Sequence, residues 1–96
     1  SNRQAKAYYG AIRLELGDAA MDAMPAFEQE AMTDLAIEID AVVRHSIAEN
    51  SLNPQSIEAA IRKALLPRLF GVMGLDHAKA LVEQVVQITR IGLSRA

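Results

Sequence analysis

Ninety-six residues, 51% of them hydrophobic, suffice for one small domain with a core of modest size and exclude a second domain. With two Phe, two Tyr and no Trp, that core must be built from Ala, Leu, Ile, Val and Met, which favours helix over sheet. The lack of cysteine excludes a disulfide framework, a thiolate nucleophile and a thiol metal site, and suits a reducing, cytoplasmic setting.

No apolar run approaches the roughly 18 residues that span a bilayer, so no membrane partner is expected. Ser1 and Asn2 read as a cloning scar, and a chain opening abruptly on a helical pattern reads as a piece of something longer. The formal charge of −2 hides an asymmetry: residues 1–50 carry nine acids and four bases, residues 51–96 three acids and six bases. The two halves are therefore expected to pair with each other or to face solvent. A dedicated nucleic-acid domain would show an overall basic balance with clustered Lys/Arg and aromatics, and neither is present.

The first helix is predicted over Arg3 to Leu16, where Ala5, Tyr8, Tyr9, Ile12 and Leu16 share a face and Gly17 is the stop signal. Ala7, Gly10 and Leu14 form a second strip of mostly small residues on the opposite side, where another helix could approach closely. In "DAAMDAMPAFEQEAM" Asp18 could cap a short helix, and Pro25 belongs in the first turn of the next long one. That second long helix is expected to reach about Glu49, burying Phe27, Ala31, Leu35, Ile39, Val42, Val43 and Ile47.

"NPQSIEAAI" reads as an Asn53 cap with Pro54 at the first helical position. The third long helix buries Ile57, Ala60, Ile61, Ala64, Leu65 and Leu69, while Leu66, Phe70 and Met73 widen its apolar surface enough to make it central in a bundle. Pro67 removes a backbone donor and clashes with the carbonyl of Lys63, so a kink is expected there. Gly71 and Gly74 end the element, and Asp76 caps a last helix from His77 to about Leu93, buried through Leu81, Val82, Val85, Val86, Ile88 and Ile91. The fold class is thus all-α, a small single-domain bundle of about four helices with a Pro67 kink in the third.

Chemistry is hard to find in this pattern. Asp76-His77 is the one adjoining carboxylate and histidine, but neighbours at a helix start point in different directions and a capping Asp is already occupied. His45, late in its helix, is unremarkable beside the negative end of the dipole. Two distant histidines give no metal-ligand pair, and Glu28, Asp34, Glu38 and Asp40 lack the Glu-x-x-His companion of a di-iron site. "FGVMG" has neither the lysine nor the strand context of a phosphate loop. Arg62, Lys63 and Arg68 are the densest basic group, read first as a solvated face and otherwise as a contact to phosphates or to a partner's acids. The four methionines are read as core filling rather than as a binding groove. No catalytic, cofactor or metal residue is expected; the candidate interface residues are Ala7, Gly10, Leu14, Arg62 and Arg68.

"AYYGAIRLELG", "LAIEIDAVVRHSIAENS", "NPQSIEAAIRKALLPRLF" and "GLDHAKALVEQVVQITR", in that order, resemble the C-terminal helical region of type I restriction enzyme R (restriction and translocation) subunits over about residues 5–93. Where many such subunits carry a Trp-containing link, this chain has "AENSLNP", which leaves the subfamily open. The resemblance implies a parent protein with a nuclease domain and an ATP-driven DNA translocase upstream, a type I site-specific deoxyribonuclease using ATP and Mg. Those functional residues have no counterpart in this chain. It also implies a non-catalytic assembly module that docks the motor subunit onto the methyltransferase and specificity subunits, with DNA reached through the parent. The alternatives are a helical module that itself contacts DNA during translocation, and an unrelated small all-α oligomerisation domain. An uncovered partner face could also let two copies of the isolated piece form a homodimer.

Overall fold

The computed structural model describes residues 2–51 and 53–95, and its elements are five α-helices: α1 (Asn2–Leu16), α2 (Asp18–Asp22), α3 (Ala26–Glu49), α4 (Pro54–Met73) and α5 (Leu75–Ser94). Leu52, inside the "AENSLNP" link, lies outside the described residues, as do Ser1 and Ala96. The four long helices form an up-down-up-down ring in which α1 packs on α3 and α5, and α4 packs on the same two neighbours from across the bundle. Cross-helix pairs fix the antiparallel sense: Gln4 with Arg44, Glu38 with Arg68, Glu58 with Arg90, and Glu15 with Gln84.

Local signals explain the corners. Gly17 sits at φ 92° with its amide on the Arg13 carbonyl at 2.8 Å, a left-handed residue that ends α1 where an L side chain would be strained. α2 is the extra, fifth helix, one turn that drops Met21 fully into the core and whose two aspartates hold Arg13 at 2.8 and 2.9 Å. Pro25 is the residue immediately before α3. The Asn53 side chain accepts the Ser56 amide at 3.1 Å with Pro54 opening α4, as the sequence leads one to expect.

Two expectations at the α4–α5 corner are corrected. Gly71 lies within α4, which continues to Met73, and the cap of α5 is Gly74 at φ 82° rather than Asp76. A positive φ turns the chain sharply enough that α5 begins at Leu75, which places Asp76 inside the first turn. There its carboxylate still faces the positive end of the helix dipole. α4 runs on through Pro67 as one helix.

The core is built from Ile12, Met21, Ile39, Ile57, Ile61, Leu65, Leu69, Leu81, Val85 and Val86, each almost wholly buried. Several residues expected there are not. Phe27 is 70% exposed and Ala31 is exposed too, because successive i+4 steps overshoot the helical turn by about 40° each. The stripe of α3 that does face inward, Met32, Leu35, Ala36, Ile39, Val43 and Ser46, mixes steps of three and four. Ala64 and Phe70 are also exposed, so α4 is one corner of the ring and not its centre. On α5 Ile91 is 45% exposed, and the core position of that turn belongs to Thr89, whose hydroxyl donates to the Val85 carbonyl at 2.9 Å.

The acidic and basic halves, expected to pair with each other or to face solvent, do both. Among the described residues only Glu38 with Arg68 and Glu15 with His77 (2.7 Å) join one half to the other. The remaining ion pairs stay within a half, because α4 and α5 are neighbours in both sequence and space and supply each other's partners.

Candidate functional site

Of the residues expected at an interface, Ala7, Gly10 and Leu14 do fall on one surface. They follow the i, i+3, i+7 spacing of a single helix face, and α1 presents them along its seam with α5. Together with Ala11, Gln84, Gln87 and Ile88 they line a shallow groove of about 330 Å³ that contains no charged side chain. Leu14 stands 78% exposed at its edge, and a leucine so bare beside small residues is the natural shape of a knob and a hole.

Arg62 and Arg68 are elsewhere and apart. Six residues separate them on α4, about 120° around the axis after whole turns are removed, so they serve different neighbours. Arg68 reaches Glu38 on α3. Arg62 makes two hydrogen bonds to Glu83 on α5, at 2.9 and 3.0 Å, and lies 3.8 Å from Glu58, which in turn is held by Arg90 at 2.7 and 3.0 Å. This four-residue lattice clamps α4 to α5. The arginine hydrogen bonds hold the Glu58 and Glu83 carboxyls below their usual range, and the same bonds push Arg62 and Arg90 up.

A different polar cluster surrounds a cavity of about 270 Å³ at the end of the bundle where α1 starts and α3 and α5 finish, lined by Gln4, Tyr8, Val43, Ile47, Ile88, Thr89 and Leu93, among others. Tyr8 is buried there. Burial pushes its phenol up from the ordinary value, against the opposing hydrogen bond with Thr89, and the nearby Asp40 carboxylate adds to the rise. Among the described residues no three His, Asp or Glu side chains gather in a metal-binding group, and no helix is long and apolar enough to cross a membrane.

His77 finds its carboxylate partner in space rather than in sequence: Nδ1 lies 2.7 Å from Glu15 Oε2, while Glu15 Oε1 accepts Gln84 Nε2 at 2.9 Å. No motif could signal this, because residues 15 and 77 meet only when α1 closes against α5. The sequence reading also missed a groove of about 320 Å³ between the N-terminal half of α3 and the C-terminal end of α4. Its lining includes Met24, Met32 and Met73, three of the four methionines assigned to core filling, and only Met21 is fully inside. Comparison with known protein families, with curated proteins and with solved structures gives no match for this chain.

Proposed function

We propose that this chain is a non-catalytic helical docking domain, in keeping with its resemblance to the C-terminal region of type I restriction R subunits. The observation that carries the docking role is the charge-free seam of α1 and α5, with Leu14 78% exposed beside Ala7 and Gly10. In this reading the partners are the methyltransferase and specificity subunits. The parent is a cytoplasmic restriction endonuclease with an ATP-dependent translocase, and its ATP and Mg sites lie outside this chain.

The test is a pull-down of a methyltransferase–specificity core by this chain, with Leu14→Asp as the comparison. Capture by the natural chain, lost in the variant, supports docking through α1. No capture, and no competition with a full R subunit, removes the reading. Self-association through the same seam is the lesser form of the proposal, and sedimentation equilibrium with the same variant reads it.

Direct DNA contact through Arg62 and Arg68 is the weaker reading, since both guanidinium groups are already engaged by Glu83 and Glu38. A bend in α4 belongs to the proposal as well: Pro67 offers the Lys63 carbonyl no amide hydrogen and its ring crowds that carbonyl. Residual dipolar couplings that fit a straight α4 would remove it.

A further inference from the structure

We infer that the groove between the start of α3 and the end of α4 is a receptor for a basic amphipathic helix. Its floor and walls are Leu16, Met24, Ala31, Met32, Val72 and Met73, and Glu28 is its one charged lining residue. Both phenylalanines of the chain stand bare at this end of the bundle, Phe27 at 70% and Phe70 at 54%, and Val72 on the groove wall is 50% exposed. Phe27 lies one helical turn before Ala31, on the flank of α3 that borders the opening. Exposed aromatics around unbranched, polarizable methionines make an apolar surface that adapts its shape to another apolar face.

Charge chooses the occupant. Glu28, Glu30 and Asp34 are exposed on the same stretch of α3, and none has an ion-pair partner among the described residues. α4 carries no charge after Arg68, and Arg68 is taken by Glu38. The opening is therefore apolar inside, with Glu28 on its lining and Glu30 and Asp34 on the outward side of the same helix, an anionic surround that calls for leucine-like anchors flanked by Lys or Arg. A second copy is disfavoured, because an isologous contact would set the acidic start of α3 against its own copy. An anionic membrane is disfavoured for the same reason. An extended peptide has nothing to extend, since the described residues include no strand edge. This proposal does not depend on docking through the Ala7, Gly10 and Leu14 seam, which shares no lining residue with this groove.

The probe is a fluorescent Leu/Lys peptide with leucines at helical i, i+3, i+4, i+7 spacing, titrated with the whole chain and followed by anisotropy. Saturable binding is expected. It should weaken at least about tenfold for the Leu/Glu counterpart, for the same residues in scrambled order, and for Val72→Glu. Phe27→Ser and the triple Glu28→Gln, Glu30→Gln, Asp34→Asn variant should each weaken it as well, the triple variant also flattening its salt dependence. All the altered side chains are at the surface, and an unchanged circular dichroism melt confirms that each variant is folded. The idea is overturned if the natural chain does not bind, if the scrambled or Leu/Glu peptide binds equally well, or if Val72→Glu and Phe27→Ser both leave affinity unchanged. Sedimentation showing a dimer that Val72→Glu dissolves would assign the groove to a second copy and overturn it too.

Discussion

Ile39 and Phe27 are both large apolar residues of α3, separated by a little over three turns, and they meet opposite environments. Truncating Ile39, fully enclosed, removes its transfer energy and leaves a cavity, so Ile39→Ala should lower stability by about 2–5 kcal/mol in a urea titration. Phe27→Ala should stay within about 0.5 kcal/mol, because a side chain already facing water has little burial to lose. A large loss at Phe27 would mean that it packs inside the fold. Glu58 and Glu83 make the corresponding electrostatic case. Each has a folded pKa below its ordinary value of 4.5, so each contributes stability that is present above that value. The contribution is lost as pH falls through the lower, folded value. Melting temperature should therefore drop on acidification below about pH 4.5, and Glu58→Gln with Glu83→Gln should shrink that drop. An unchanged acid arm in the double variant would mean that the Arg62 and Arg90 pairs contribute nothing measurable, which is the fate of many surface pairs.

At the scale of the elements, two glycines three residues apart on the α4–α5 corner have opposite roles. Gly71 is helical, and a Cβ there would meet no atom within 4 Å, so Gly71→Ala should stabilise by about 0.5–1 kcal/mol through helix propensity alone. Gly74 has equal space but sits at φ 82°, where an L residue is strained, so Gly74→Ala should destabilise by about 1 kcal/mol or more. Thermal melts of the two variants moving in opposite directions would check both. The same corner shows what was legible in the chain. "NP" at residues 53–54 announced the start of α4 because capping is a local matter between a side chain and an amide three residues on. Asp76 misled because an aspartate at the start of a helix looks the same whether it is the cap or a first-turn residue, and the φ of Gly74 decides which. Phe27 and Ile91 misled for a different reason. Periodicity narrows the apolar side of a helix to a broad arc, and only the neighbouring helices determine which part of that arc is covered.

Taken whole, the molecule keeps five of its ten lysines and arginines occupied among the described residues. Arg13, Arg44, Arg62, Arg68 and Arg90 all lie in ion pairs, and the overall charge is −2. Duplex DNA would have to break those pairs while approaching a net anion, so a gel-shift titration at low salt should show no complex. A complex that forms at low salt and dissociates steeply as salt rises would restore the DNA-contacting reading.

By itself the sequence determined the class of fold and most of the helix limits, since caps, prolines, glycines and apolar period act over one or two turns. It also located the Ala7, Gly10 and Leu14 strip, because three residues on one helix share a face whatever that helix packs against. Only the tertiary structure decided that Arg62 and Arg68 point to different neighbours, that His77 belongs with Glu15, and that three methionines line an opening. Each of these joins residues distant along the chain or depends on where a neighbouring helix stops, and both are set by how the four long helices close into a ring.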